Sequence, residues 1–170
     1  NFYNGGFDVV ISGIDTTEAV SVAKQMSAQG KRVWAIPYDY AGACEGGSSI
    51  CLGVPYFNWG PAYVTLVKKS MAGAWKSEWI WLGPDWKDIN NTSTSTVGFL
   101  VGDALDPRAR SALGAFIKDL GSGKVNLFRG PLRYQDGSVF LKNREVASDR
   151  KIWYMPMLLE GMLGASSAAK

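Results

Sequence analysis

Apolar and polar positions alternate in blocks that change period several times along the chain. Phe7 to Ser12 is a short β-branched run of the kind buried in a parallel sheet. Asp15 and Glu18, three residues apart, fit the start of a helix, with Asp15 offering an oxygen to the first free N–H groups. Ala19, Val20, Ala23 and Met26 then fall at helical spacing, and Gly30 marks a stop. Arg32 to Ile36 predicts a second strand, ended by Pro37, so the opening reads as a βαβ unit with a right-handed crossover. After a Gly/Ser-rich loop comes an apolar segment, Ile50 to Val54. Asn58 and Pro61 then suit the first turn of a helix carrying Tyr63, Val64, Leu66, Val67 and Met71 to a stop near Gly73.

The second half is less regular. Glu78 to Leu82 predicts a strand, 83–88 a turn, Asn90 to Thr96 a mobile polar connector, and Val97 to Val101 another strand. Asp106-Pro107 opens a helix through Leu113, Phe116, Ile117 and Leu120, capped by Gly121. Lys124 to Phe128 and Ser138 to Leu141 are expected to pair as strands around the Asp136-Gly137 turn. Ile152 to Leu163 reads as a last amphipathic helix and Gly164 to Lys170 as a frayed tail. No internal repeat is visible.

Composition narrows the chemistry. The 170 residues are 46% hydrophobic and 19% charged, a mixture that builds a core and does not suit a disordered chain. The apolar runs fall far short of the roughly 20 residues that span a bilayer, and none has the form of a secretory signal. The first residue is Asn1, which suggests a mature or excised piece of something longer. With no histidine, there is no Ser-His-Asp triad, no Cys-His pair and no histidine metal ligand, and neither a cofactor nor a metal is expected. A net charge of +3, with Lys142, Arg144, Arg150 and Lys151 interrupted by Glu145 and Asp149, reads as a solvated surface and not as a nucleic-acid interface. Cys44 and Cys51 have six residues between them in a flexible loop that can bring them to bridging distance. A disulfide there implies an oxidising compartment, and free thiols are the cytosolic alternative.

Ligands of open parallel α/β sheets collect at the carboxyl ends of the strands. Those ends carry Gly13, Asp15 and Thr16, then Tyr38, Asp39 and Tyr40, then Asn58 and Trp59. Aspartates there bind hydroxyls or amines, and a ring stacks a flat ligand. Taken singly, Asp15 and Asn58 serve equally well as helix caps and Trp59 as a core cover. Their convergence on one edge favours a site. The post-strand sequence SGIDTTEA lacks the glycine fingerprint of a dinucleotide fold, and no phosphate loop is present. Asp85 and Asp88 are placed for acid/base chemistry in principle, but aspartates in such a segment usually build the turn. Trp75, Trp79, Trp81 and Trp86 are either packing residues or exposed rings for a sugar or base.

The ordered segments VVISGIDT, VWAIPYD, YFNWGPAYV and GAWKSEWIW, followed by FRGPLRYQDGSVFL and WYMPMLLEGMLG, resemble the basic membrane lipoprotein family of solute-binding proteins over about residues 5–164. The resemblance implies a type I periplasmic-binding-protein fold, here an incomplete C-terminal half. It would be an α/β lobe at 1–75, an interlobe crossover at 76–105, and at 106–170 a helix, a β-hairpin and a C-terminal helix completing the lobe. It implies an extracytoplasmic, lipid-anchored receptor that passes a purine nucleoside or nucleobase to an ABC permease. Carried over by position, Asp15 and Thr16 match the ligand loop after a strand, and Asp39 the acidic residue after the next. Trp59 matches the cleft-facing position of the N-W-G-P segment, while Trp86, Lys87 and Asp88 fall near a ribose-contacting lysine of the crossover. A Gly-rich aromatic loop of nucleoside binders is GIDTTEA here, and an expected aspartate is Trp59, so a bare nucleobase or another flat ligand also fits. An isolated half would expose covered surface and favour dimerisation. The competing readings are an α/β enzyme of flavodoxin-like or hydrolase-like type and a tryptophan-rich carbohydrate-binding module.

Overall fold

The computed structural model describes residues 2–166, and the chain divides into two units, 1–115 and 116–170. In the first unit β1 (Val9–Ile11) pairs in parallel with β2 (Trp34–Ile36), Val10 opposite Ala35. The connection between them is α1 (Glu18–Ala28). Its apolar stripe packs Val20 and Ala23 into a core with Tyr3, Val33, Ala35 and Ile50. Ala23 and Ala35 are fully buried, so the helix sits close on the strands because neither has bulk to hold them apart. Gly30, at φ +84°, turns the chain out of α1 as expected.

The start of α1 differs from expectation. Thr17 occupies the cap position without a side-chain cap bond, and Asp15 lies outside the helix. The Thr16 hydroxyl instead bonds the Glu18 carboxylate, and this, followed by the Glu18 backbone N–H, holds that carboxyl below its usual range.

Past β2, single parallel bridges at Ala35–Cys51 and Asp39–Tyr56 lead to β3 (Gly53–Phe57). β4 (Val97–Val101) then lies antiparallel along the whole of β3, from Gly53 opposite Val101 to Phe57 opposite Val97. The architecture is therefore mixed α/β, with small parallel and antiparallel sheets. It is compatible with part of an α/β binding-protein lobe, though the parallel sheet expected from the sequence carries one reversed strand. Tyr56 lies over Gly98 and Phe99 over Gly53, so each ring fills the place that a Cβ would need.

α2 (Gly60–Met71) begins with Pro61 in its first turn. Asn58 is not its N-cap: Trp59 precedes the helix, and no side chain caps it. Its apolar stripe is exposed, with Tyr63, Val64 and Val67 more than half accessible and Met71 at 84%. The strand expected at Glu78 to Leu82 does not form. β3 has β4 along one side and the β2 bridges on the other, and Trp79 and Trp81 stack on each other at 5.5 Å. Nor is the polar run from Asn90 to Thr96 loose. Asn90 clamps Phe99 through both its N–H and its carbonyl, each at 3.0 Å. Ser95 is 2% exposed. α3 (Pro107–Gly121) opens under a cap from Asp106 Oδ1, which accepts from the Ala109 N–H at 2.9 Å. The chain turns at Gly123 (φ +73°), because Gly121 is still helical.

In the second unit β5 (Leu132–Arg133) pairs with β6 (Val139–Leu141) across the Asp136-Gly137 turn. The first strand of this hairpin is thus Leu132–Arg133 and not Lys124 to Phe128, because Tyr134 already bonds Ser138 and sets a short register. Phe140, Leu141 and Ala147 form the core here, with Phe128, Tyr134 and Ile152 packed on it. The last helix is only α4 (Asp149–Trp153), capped by Ser148. Residues 154–163 follow irregularly, with a bridge from Leu159 to Tyr134 that replaces the expected continuation of the helix. Gln135 holds Met162, Gly164 and Ser166 by hydrogen bonds, so those tail residues are not frayed, while 167–170 lie outside the described residues. Among the described residues no helix is long and apolar enough to cross a membrane.

Candidate functional site

The first three strands point the same way, so the segments leaving them share one edge of the first unit. Asp15 and Thr16 are exposed in the loop after β1. Asp39 follows β2, with its backbone bonded on both sides to β3. Its N–H donates to Pro55 O, and its carbonyl accepts from the Phe57 N–H, both at 3.0 Å. This double tie holds Asp39 at φ +79°, a left-handed conformation that aspartate tolerates better than bulkier residues. Carboxylates at these two positions are acceptors that a ligand's donors could meet.

Aromatic rings continue the edge. Tyr38 meets Phe57 edge-on at 5.6 Å, Phe57 lies 5.1 Å from Trp59, and Trp59 stacks on Tyr63 at 6.0 Å. Trp59 is 54% exposed, which leaves indole surface open to a flat ligand. Sequence reasoning missed Phe57 and Tyr63. Their spacings, two before Trp59 on a strand and four after it on a helix, are the signals that place them beside it.

Asn58 has a different role from the one expected. Its Nδ2 donates to the carbonyls of Thr92 and Ser95 at 2.8 and 2.7 Å, so both amide hydrogens are occupied. These bonds hold the segment 83–96, which bears Trp86, Lys87 and Asp88, at the end of β3. All three are exposed. Asp88 Oδ1 accepts from the Asn90 N–H, as Asp85 Oδ1 does from the Lys87 N–H, both at 3.0 Å. The Thr94 hydroxyl, at 2.6 Å, and then the Lys87 N–H hold the Asp85 carboxyl below its usual range. That is the wrong direction for a general acid and suits two carboxylates that build a turn.

The disulfide Cys44–Cys51, with Cα atoms 5.9 Å apart, closes the loop between β2 and β3. Among the described residues no group of three or more Cys, Asp or Glu is arranged to hold a metal ion. A depression of about 330 Å³ lies beside the rim, between Phe2, Ser12, Ile14 and Glu18, and does not reach Trp59.

Aromatic planes and carboxylates thus share one edge at the ends of parallel strands, an arrangement suited to a flat small molecule. The chain is 28% identical, over 157 residues, to a purine-binding protein of Brucella abortus (strain 2308). The match covers 92% of this chain but 41% of that protein, so the chain spans about two fifths of the length of its relative. That relative is named for binding purines. No protein-family model matches the chain.

Proposed function

We propose that the chain is the ligand-binding portion of an extracytoplasmic solute receptor, of the basic membrane lipoprotein type, that delivers a purine nucleobase or nucleoside to an ABC permease. The observation that carries this reading is the similarity, along nearly the whole chain, to a protein named for binding purines. The rim is chemically suited to such a ligand. A purine is flat and aromatic, and the exposed indole of Trp59 offers a stacking face. Its ring N–H and exocyclic amine are donors, and the carboxylates of Asp39 and Asp15 are acceptors. Trp86, Lys87 and Asp88 border the same edge and would meet substituents at the far side of the ring. The Cys44–Cys51 bridge supports an oxidising, extracytoplasmic location.

A thermal-shift panel of adenine, guanine, hypoxanthine, their nucleosides, pyrimidines and hexoses tests the reading. A ligand at a hundredfold excess over its Kd stabilises the folded state by about 2.7 kcal/mol. Purines should raise the melting temperature where pyrimidines and sugars do not. A response to sugars alone would move the function to a carbohydrate module, for which the stacked pair Trp79 and Trp81 is the platform.

A further inference from the structure

Two sides of the rim come from distant parts of the chain: Trp59 from the end of β3, and Trp86 to Asp88 from the segment before β4. Asn58 joins them. Beyond its two side-chain bonds, its backbone N–H donates to Thr96 O at 2.9 Å. Both acceptors of the side chain are carbonyl oxygens, so the group facing them has to carry two hydrogens, and an amide does so where a carboxylate or hydroxyl cannot.

From Ser95 the connection continues inward. Its buried hydroxyl accepts from the Asp85 N–H at 2.9 Å and donates to Val97 O at 2.7 Å. Asp85 in turn receives the Thr94 hydroxyl and the Lys87 N–H. A continuous path of hydrogen bonds thus runs from the side chain next to Trp59 to the backbone on either side of Trp86. Short polar side chains that bond nearby backbone are what the Asn/Ser/Thr-rich stretch supplies.

We infer that Asn58 is a positioning residue and not a ligand contact: it sets the Trp86–Asp88 turn in register with Trp59, so that the two sides of the rim act as one piece. The inference rests on the proposed ligand reading for its purpose, but the geometry it asserts holds in the empty protein. Rigid spacing between two sides of a site lowers the ordering cost of binding, which is where such a residue acts on affinity.

5-Fluorotryptophan labelling tests it, with each fluorine resonance assigned by a Trp→Phe variant. Asn58→Leu keeps the volume and removes both donors, and Ser95→Ala breaks the path one step further along. Both should shift and broaden the Trp86 resonance while Trp34, in β2, stays at its wild-type position and reports an intact fold. A Trp86 resonance unmoved in both variants overturns the inference. If Asn58→Leu fails to fold, Ser95→Ala decides by the same criterion.

Adenine titration adds a second arm. Asn58→Leu should weaken binding by about tenfold, and Trp86→Ala should cost much less in that background than in wild type, because the ring is already out of register. Fully additive losses would reduce Asn58 to a general stabiliser. Failure of the wild-type chain to bind adenine would count against the purine reading, and the fluorine spectra would still judge Asn58.

Discussion

Trp59 is in contact with the rings of Phe57 and Tyr63, and more than half of its surface faces solvent. A ring held by two neighbours loses little freedom when a flat ligand lies on it, so stacking there comes at low entropic cost. Base–aromatic stacking is worth about 1–3 kcal/mol, so Trp59→Ala should weaken purine binding by roughly 5- to 150-fold. Trp59→Phe should recover much of the loss, and isothermal titration measures both. Asp85 gives a pH prediction at the same scale. Its carboxyl is held below its ordinary value chiefly by the Thr94 hydroxyl and next by the Lys87 N–H. The bonds that order the turn are therefore complete above the ordinary aspartate range and are lost as the pH falls through the lowered value. In an acid titration the fluorine resonance of Trp86 should move with that transition, and Asp85→Asn should remove the pH dependence.

The regular elements divide by whether their sequence signal is local. The strand–helix–strand opening was legible because Val20, Ala23 and Ala35 have both the right period and a core to fill. Pro61 marked α2, and Asp106-Pro107 marked α3, because a missing N–H or a capping oxygen acts within one turn. The strand expected at Glu78 to Leu82 had period and composition, but a strand also needs a partner, and pairing is decided elsewhere in the chain. The same holds for Asn58, whose partners lie more than thirty residues away and cannot be read from its own neighbourhood. Likewise the edge was legible as a set of strand ends, while the order among its rings required the fold. Helical period alone did not show which stripe is covered. α1 and α2 both carry one, and only α1 buries residues. Val67→Ser on α2 should change stability in chemical denaturation by less than about 0.5 kcal/mol. Val20→Ala on α1 should cost about 1–3 kcal/mol. Equal costs would show that α2 is covered in solution.

At the scale of the whole molecule, surface is the outstanding quantity. The accessible area is 11,986 Å² for 18.4 kDa. Two compact units of 115 and 55 residues, taken separately, would present roughly 9,700 Å². The chain therefore exposes roughly 2,000 Å² more than compaction of each unit requires, and tryptophans 59, 75, 79, 81 and 86 contribute to it. Measured against an extended chain, roughly 55% of the surface is removed from water, where two separate compact units of these lengths would remove roughly 64%. The slope of unfolding free energy against denaturant follows the area exposed on unfolding. Urea unfolding of this chain should thus give an m-value roughly nine tenths of that expected for two compact units of these lengths. A stabilising purine should raise the midpoint and leave that slope nearly unchanged, since a ligand on an open rim covers little of the surplus. A rise in slope on ligand addition would mean instead that binding draws further parts of the chain together.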